Sequence, residues 1–264
     1  MPSVPVQIMA IANVTPDSFY ASSRTKAVDQ VLEMIDQGAD IIDIGGESSR
    51  PGAEYVSEED EKARVIPLIK AIREHSQIPL SVDTRKSSVA REALDLGVQI
   101  INDISALEDD SEMGRLIASY GAQVVLMHKK GLPRDMQNDP CYEDVTGEVL
   151  GYLDGAINRA LEAGIKREHI IVDPGIGFGK RHEDNRQLLR DIPRLKESGC
   201  PLLIGLSRKS YIGNILDAPP EERLFGTLAA DMYAAQKGAD ILRVHDVKAH
   251  RDMLDVWGDL EWTG

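Results

Sequence analysis

Short apolar runs alternate with stretches of helical periodicity along the whole chain. Several of the runs follow a glycine, as in Gly97-Val-Gln-Ile-Ile-Asn102 and Gly238-Ala-Asp-Ile-Leu-Arg243. A glycine is typical of the end of a helix, and a run of branched apolar residues is typical of a strand that is buried on both faces. Each repeat is therefore interpreted as one helix-to-strand junction.

Eight runs of this kind are predicted to contain strands. They lie within residues 7–12, 39–44, 80–82, 97–102, 121–126, 170–172, 199–204 and 238–243. Strands that alternate with helices form a parallel sheet, and a closed eight-fold barrel takes ~250 residues. The chain has 264 residues. We predict an α/β fold, a (βα)8 TIM barrel that forms one domain over residues 1–264, with a doubly wound open sheet as the alternative.

One helix carries a clear start signal and a complication. The pattern over Ser57–His75 begins with Ser57 and Asp60 at the spacing of a capping box. Pro67 lies inside the same pattern, and proline removes a helical hydrogen bond. We therefore predict a kink at Pro67 or a later start of the helix.

Composition narrows the functional classes. The formal net charge is −14, which disfavours binding to nucleic acid or to an anionic membrane surface. No apolar run approaches the ~18 residues of a membrane helix, and the first residues lack a basic leader, so we expect a cytoplasmic protein. Cys141 and Cys200 are far apart, which gives no spacing typical of a metal site or a disulfide framework.

Polar side chains stand where each predicted strand ends. In a TIM barrel the carboxyl ends of the strands form the face that carries chemistry, so these positions are the candidates for function. They are Asn13, Glu47 to Arg50, Asp83, Asn102 with Asp103, His128, Asp173, Ser207 to Lys209, and Arg243 to His245. A single strand that ends in Asn or Asp is usually only starting a turn, but eight such ends favour one binding face.

One group of these residues combines two carboxylates, a carboxamide and an ammonium. Asp83, Asn102, Asp173 and Lys209 suit a flat heterocycle with both amide and amino edges, because a carboxylate can accept two N–H groups at once. The structural alternative is a buried ion-pair cluster that ties the strands together. That alternative does not explain why every member ends a strand.

A second group is cationic within an acidic chain. Arg50, Arg243 and His245, together with Asn13, are interpreted as a site for phosphate or diphosphate, with surface salt bridges as the alternative. Asn13 can offer an oxygen to Mg²⁺, which shares its ligands with phosphate oxygens.

A glycine-rich turn follows the strand that ends at Asp173. The sequence Gly175-Ile-Gly-Phe-Gly-Lys180 lacks the spacing of a phosphate-binding Walker loop. Phe178 lies in its middle, and a phenyl ring on a loop favours packing against a ligand or a partner. Phe19, on the first loop, has the same interpretation.

Seven motifs in order along the chain together resemble the dihydropteroate synthase family. They are Asn13-Val-Thr-Pro-Asp-Ser-Phe19, Gly45-Gly-Glu-Ser-Ser-Arg-Pro-Gly52, Ser81-Val-Asp-Thr-Arg85, Asn102-Asp-Ile104, Asp173-Pro-Gly-Ile-Gly-Phe-Gly-Lys180, Gly205-Leu-Ser-Arg-Lys209 and Arg243-Val-His245. The resemblance implies a homodimeric (βα)8 transferase of folate biosynthesis. Its reaction joins 6-hydroxymethyl-7,8-dihydropterin diphosphate to 4-aminobenzoate and releases diphosphate, and sulfonamides mimic the aminobenzoate.

The resemblance also implies a role for each matching residue. The pterin would be held by Asp83, Asn102, Met127, Asp173, Lys209 and Arg243. Diphosphate would be held by Asn13, Ser49, Arg50, Arg243 and His245, with Mg²⁺ on Asn13. The aminobenzoate pocket would be shaped by Phe19, Pro51, Phe178 and Ser207, and the residues closest to the chemistry would be Lys209, Arg243 and Asp17.

Two stretches depart from the family pattern. Ala21 stands where the first loop of the family commonly carries a second acid, so Asp17 is the acid that remains in that loop. Lys129 and Lys130 follow His128 in place of the usual residues, and we interpret them as extra attraction for an anion.

Three other functions are open from the sequence. Lys209 or Lys180 could form a Schiff base in an aldolase that has a phosphate site. A methyltetrahydrofolate-binding methyltransferase domain would share the carboxylates, although the chain has no cobalamin signature. A pterin-binding paralogue without turnover would explain the altered first loop.

Overall fold

The structure is a computed structural model that describes residues 6–14, 21–47, 55–131, 136 and 140–261. Within these residues the strands are β1 (Gln7–Asn13), β2 (Ile41–Gly45), β3 (Leu80–Asp83), β4 (Ile100–Asp103), β5 (Gln123–Met127), β6 (Ile170–Asp173), β7 (Leu203–Ile204) and β8 (Ile241–Val244). Each of these strands overlaps a segment that the sequence predicts to contain a strand.

The strands form one parallel sheet that closes on itself. Their order is β6-β5-β4-β3-β2-β1-β8-β7. A parallel bridge between Val172 and Leu202 joins β6 to the start of β7. The predicted TIM barrel is confirmed, and the open doubly wound sheet is wrong because its two edge strands would not meet.

Helices follow the strands around the outside of the barrel. They are α1 (Ala21–Asp36), α2 (Glu58–Arg73), α3 (Ser87–Asp95), α4 (Met113–Tyr120), α5 (Val145–Glu162), α6 (His182–Arg190), α7 (Ile192–Leu195), α8 (Ser210–Leu216), α9 (Leu224–Lys237) and α10 (Val247–Glu261). Gly121 and Gly238 cap α4 and α9 in the left-handed conformation, as the glycine-plus-strand repeats predicted.

The helix that contains Pro67 begins where its capping signal predicted. Ser57 is the N-cap of α2, and its side chain accepts a hydrogen bond from the backbone N–H of Asp60. The helix starts at Glu58 and continues through Pro67 to Arg73, so the predicted later start is wrong. The apolar residues beyond Pro67, among them Leu68 and Ile72, are buried and keep this part of the helix against the barrel.

The inside of the barrel is filled by an apolar layer. Its members are Met9, Ile41, Ile100, Val125, Ile171, Leu203 and Ile241. A larger core between the sheet and the helices takes the alternate strand residues, such as Ile8 and Ile42. Since side chains alternate faces along a strand, residues two positions beyond the inner layer also point inwards, and they form the floor of the barrel mouth.

Candidate active site

The next inward positions toward the carboxyl ends of the strands are largely polar. They are occupied by Asp43, Asp83, Asn102, Met127, Asp173, Gly205 and Arg243. Ile11 holds the equivalent place on β1. The barrel interior therefore changes from an apolar layer to a charged one within two residues, and the strands themselves fix the positions of these groups.

Arg243 links three strands of this charged layer. Its Nε donates to Oδ2 of Asp43 at 2.7 Å, and its Nη2 donates to Oδ2 of Asp83 at 3.0 Å. The same Oδ2 of Asp43 accepts a hydrogen bond from Nδ2 of Asn102 at 3.1 Å. Side chains from β2, β3, β4 and β8 thus orient one another, and we call these four residues the arginine network.

Burial sets the charge states of the arginine network. Burial raises the pKa of Asp83 to about 7, although the guanidinium of Arg243 opposes the rise. Burial also works against the charged form of Arg243, but the carboxylates of Asp43 and Asp83 outweigh it and raise the pKa of this arginine. Asp83 therefore changes its protonation state near neutral pH while Arg243 stays charged.

On the opposite side of the mouth, backbone groups hold the charged side chains. Nζ of Lys209 donates to the carbonyl oxygen of Ile176 at 2.6 Å and lies 4.7 Å from the ring centroid of Phe178. Oδ1 of Asp173 accepts from the N–H of Gly175 at 2.7 Å. These contacts all involve residues 174–180, which we call the glycine loop.

The charges on this side are also shifted by burial. Burial lowers the pKa of Lys209 to about 8, although the carboxylate of Asp173 opposes the shift. Burial raises the pKa of Asp173, with Lys209 as the largest opposing influence. Without a ligand, each group therefore gives up part of its usual preference for the charged form.

Gly205 lies where the two sides of the mouth meet. A Cβ placed on this glycine would lie 3.7 Å from Nζ of Lys209 and 3.8 Å from Cβ of Arg243. Lys209 and Arg243 therefore both adjoin this glycine, whose missing side chain leaves room in the mouth. The charges of both also act on the carboxylate of Asp173.

His245 and Ser207 lie beside this cavity. Nδ1 of His245 is 2.9 Å from Oγ of Ser207, and the backbone N–H of His245 donates to the same oxygen at 3.2 Å. Asn13 is exposed at the end of β1, and its Oδ1 is 3.3 Å from the point that a Cβ on Gly45 would occupy. The same point is 3.8 Å from Cβ of Asp83, which brings Asn13 to the edge of the arginine network.

Comparisons with known proteins agree with this geometry. The profile of the family described as "Pterin binding enzyme" matches residues 9–245. The dihydropteroate synthase of Haemophilus influenzae is 48% identical over 259 residues, which cover 97% of this chain and 94% of the relative. The chain belongs to the dihydropteroate synthases.

Solved structures place the same family on the same fold. The dihydropteroate synthase of Yersinia pestis, in a sulfonamide complex, has a TM-score of 0.92 and 40% identity, and covers 97% of this chain and 94% of its own. The enzyme of Xanthomonas albilineans with 4-aminobenzoic acid has a TM-score of 0.92 and 44% identity, and covers 98% and 94%. The predicted family, fold and transferase class are confirmed.

The structure brings together the dihydropteroate synthase residues that it describes. Asp83, Asn102, Asp173 and Arg243 belong to the charged layer, and Lys209, which follows β7, lies close enough to Asp173 to act on its charge. Met127 is buried at the end of β5, where its backbone is in register with that of Asp173. Phe178 is half-buried against Lys209, while Ser207 and His245 pair with each other as described above.

Five predicted site residues lie outside the described residues. They are Asp17, Phe19, Ser49, Arg50 and Pro51. Their predicted roles at the pterin, diphosphate and aminobenzoate therefore stay predictions.

Sequence reasoning missed Asp43, the central acceptor of the arginine network. Its side chain is 0% exposed, and its Oδ1 has no hydrogen-bond partner within the described part of the chain. The signal was present, since an acid interrupts the apolar run Ile41-Ile42-Asp43-Ile44. A carboxylate inside a buried strand requires a cationic or donor partner.

The two lysines after β5 are compensated within the chain. Nζ of Lys130 bonds the carbonyl oxygen of Cys141 and lies 4.1 Å from the ring centroid of Tyr142. Nζ of Lys129 is 3.6 Å from Oδ2 of Asp109, and among the described residues it has no hydrogen-bond partner. These contacts weaken the interpretation of Lys129 and Lys130 as attraction for an anion.

Proposed function

We propose that the charged layer holds the pterin ring of 6-hydroxymethyl-7,8-dihydropterin diphosphate. Asp83 and Asp173 would accept hydrogen bonds from ring N–H and amino groups, and Lys209 would donate to a ring oxygen. Asn102 can donate and accept, and Met127 and Arg243 would pack against the ring. The observation that carries this assignment is that Lys209 and Arg243 both adjoin Gly205 and that both charges act on the buried carboxylate of Asp173.

Diphosphate would bind at the edge of the same cavity. Arg243 lies in the charged layer, and His245 follows it by two residues beyond the end of β8. Asn13 lies on the neighbouring strand, since β1 pairs with β8. Ser49 and Arg50 are expected to complete the site. A phosphate chain attached to the pterin would thus continue from the ring across Arg243.

Magnesium fits the donors at this edge. Within the described residues there is no group of three or more His, Cys, Asp or Glu side chains that could hold a metal ion. Mg²⁺ commonly uses one or two protein oxygens together with phosphate oxygens and water, so the exposed carboxamide of Asn13 suffices as the protein ligand. When bound, the ion would neutralise part of the charge on the departing diphosphate.

The reaction that we propose is a dissociative substitution. The electron-rich dihydropterin expels diphosphate, and the neutral arylamine nitrogen attacks the resulting cation and then loses its proton. The protein has to stabilise separating charges, so fixed donors matter more than a strong general base. Removal of one such donor costs about 2.7–4 kcal/mol, or about 10² to 10³ in rate. Lys209 and Arg243 are the described donors, and Asp17 is expected near the developing cation.

The second substrate would enter beside Phe178 and Ser207. Phe178 offers the edge or face of an aromatic ring next to Lys209. Phe19 and Pro51 are expected to complete the pocket. The solved relatives that carry 4-aminobenzoic acid and a sulfonamide support the same two ligand classes for this chain, and sulfonamides are expected to compete with 4-aminobenzoate.

A homodimer is supported by an apolar surface on α8 and α9. Phe225 is 81% exposed, and Tyr233 lies two turns further along α9 on the same face. Ile215 and Leu216 of α8 are exposed next to them, since Leu216 approaches Gly226 of α9. Exposed apolar patches of this kind often mark interfaces. Light scattering of the wild type and of Phe225→Glu would test the dimer.

No helix among the described residues is long and apolar enough to cross a membrane. Since the substrates that we propose are small charged metabolites, we also propose a cytoplasmic enzyme.

One assay tests the proposed function. The purified protein is incubated with the pterin diphosphate, 4-aminobenzoate and Mg²⁺, and both dihydropteroate and diphosphate are measured. We expect the two products in equal amounts, and less of both when Mg²⁺ is removed. Pterin binding without product would instead favour the paralogue that lacks turnover.

The Schiff-base alternative has its own test. Lys209 is held against the carbonyl of Ile176, and Lys180 is buried among acceptors, so neither is expected to form an imine. Borohydride reduction with a carbonyl substrate should therefore trap no adduct by mass spectrometry.

A further inference from the structure

The glycine loop rests directly on the backbone that follows β5. Gly175, Gly177 and Gly179 all have positive φ, between 62° and 84°. A Cβ on Gly175 would lie 1.9 Å from the carbonyl oxygen of His128, and one on Gly179 would lie 2.1 Å from that of Lys130. Two glycines are therefore required where the loop and the β5 segment meet.

Lys180 occupies the space enclosed by this contact. Its Nζ is 2.8 Å from Nδ1 of His128, 2.9 Å from the carbonyl oxygen of Gly175 and 3.1 Å from that of Phe178. The residue is 3% exposed. An ammonium group has three N–H donors, so these three acceptors use all of its hydrogen-bonding capacity.

The protonation of His128 follows from this contact. An ammonium cannot accept a hydrogen bond, so Nδ1 of His128 accepts and the ring carries its proton on Nε2. Burial, followed by the charge of Lys180, lowers the pKa of His128 to about 3, which keeps the ring neutral. Burial lowers the pKa of Lys180 to about 7, although the carboxylate of Asp173 opposes that shift, so the ammonium form predominates below neutral pH.

The same loop presents three groups to the pterin site. The N–H of Gly175 orients Asp173, the carbonyl of Ile176 holds Nζ of Lys209, and the ring of Phe178 packs against that ammonium. Nζ of Lys180 donates to the carbonyl oxygens of Gly175 and Phe178, which are the first and last residues of the segment that presents these three groups.

We propose that Lys180, seated against His128, is a positioning residue for pterin recognition. Its ammonium group fixes residues 175–178 of the glycine loop, and through them the carboxylate of Asp173 and the ammonium of Lys209. Lys180 itself contacts no substrate. The proposal rests on the assignment of Asp173 and Lys209 to the pterin, and it adds two residues from outside the charged layer.

The test compares pterin binding with diphosphate binding. Lys180→Met keeps much of the side-chain length and removes the donors. Calorimetry with 6-hydroxymethylpterin should show about 100-fold weaker binding, since a small misplacement of binding groups has effects of this size. Binding of inorganic diphosphate with Mg²⁺ should change less than threefold, because Asn13 and His245 stand at the ends of β1 and β8 and are not part of the glycine loop. Unchanged pterin binding, or equal weakening of both ligands, would overturn the proposal.

His128 supplies the matched pair of variants. Asn places a polar atom close to the position of Nδ1, so His128→Asn should keep most of the pterin affinity, whereas His128→Leu should lose it to a similar extent as Lys180→Met. Combining His128→Leu with Lys180→Met should add little to Lys180→Met alone, because the contact that His128→Leu removes is already lost in that variant. If Lys180→Met does not fold, equal pterin binding by the Asn and Leu variants would overturn the proposal.

Two controls separate this proposal from its foundation. Tyr142→Phe removes the hydrogen bond from Tyr142 to the carbonyl of Gly179 at 2.7 Å, which holds the same loop beyond the segment that presents the site. It should lower thermal stability without changing pterin affinity. Asp173→Asn tests the pterin assignment itself. If pterin affinity falls in Asp173→Asn but not in Lys180→Met, the pterin assignment stands and only the positioning role of Lys180 is removed.

Discussion

The two sides of the barrel mouth hold their charged side chains in place in different ways. In the arginine network, side chains from four strands hold one another, and their positions depend on the sheet alone. Around the glycine loop, Asp173, Lys209 and Lys180 are held by backbone N–H and carbonyl groups, and their positions depend on the loop conformation. The first side is fixed by strand register and the second by a turn. Mutations should therefore act differently on the two sides.

The largest effect is expected at Arg243, the residue that joins the two sides of the barrel mouth. Arg243→Met removes a donor to the leaving group, which should lower kcat by about 10² to 10³. It also leaves the buried carboxylates of Asp43 and Asp83 without their cation, which should cost about 3–5 kcal/mol of the free energy of unfolding. Steady-state kinetics over a Mg²⁺ series and denaturant unfolding measure the two effects, and we expect a steeper dependence on Mg²⁺.

Arg251→Met is the matched control for this variant. Arg251 pairs with Asp40 at 2.7 Å at the amino end of β2, away from the mouth. The control should lose stability and keep its kcat. If Arg243→Met kept the wild-type kinetics, the residue would have no place in the anion site.

The second largest effect tests the side of the mouth where backbone groups of the glycine loop hold the charged side chains. Asp173→Asn preserves size and removes the charge that accepts ring N–H groups, at about 1.5–3 kcal/mol for a charged hydrogen bond. Pterin binding should fall by roughly 10- to 150-fold, while diphosphate binding should stay close to the wild type. Calorimetry measures both ligands separately. An equal loss for both would contradict the division of the cavity into a ring half and an anion half.

The third effect uses pH to compare the two sides. The pKa of Asp83 is raised to about 7, so below that pH the free enzyme carries a proton that pterin binding has to displace. The pKa of Lys209 is lowered to about 8, so above that pH its donor charge is lost. Pterin affinity should be highest between about pH 7 and 8 and fall by up to tenfold per unit outside this window.

Calorimetry in buffers of different ionisation enthalpy checks the acid side. Binding at pH 6 should release protons in the wild type and fewer in Asp83→Asn. The same raised pKa means that Asp83 contributes stability at low pH, which is lost as the pH rises through 7. A pterin affinity that is constant from pH 5 to 9 would show that neither group titrates in the site.

The smallest effect is expected at the edge of the cavity. Ser207→Ala removes the partner of the His245 ring and backbone, which is worth about 0.5–1.5 kcal/mol for an ordinary hydrogen bond. The KM for 4-aminobenzoate and the inhibition constant of diphosphate should each change by roughly 2- to 10-fold. Ser88→Ala, which removes a hydrogen bond to Glu58 on the surface, is the control. A change of more than 100-fold would indicate a direct catalytic role.

The sequence predicted the fold and the strand-end residues because both follow from local pattern. A run of branched residues ends at Asp83 or Asp173 whatever the rest of the chain does, and barrel closure then brings the strand ends together. The pairing of Arg243 with Asp43 was missed because the two are 200 positions apart and meet only when β1 lies between β2 and β8.

The surroundings of Lys180 could not be predicted for a different reason. Its neighbours depend on three positive φ angles and on the contact of the glycine loop with the residues after β5. From the sequence it was a candidate nucleophile. In the structure its Nζ is surrounded by acceptors that no spacing in the chain reveals.

A crystal structure with the pterin and diphosphate bound together tests the central claim most directly. We predict the ring within hydrogen-bonding distance of Asp173, Lys209 and Asp83, with diphosphate next to it at Arg243, His245 and Asn13. Ligands in separate cavities, or a ring that does not contact the charged layer, would contradict the account.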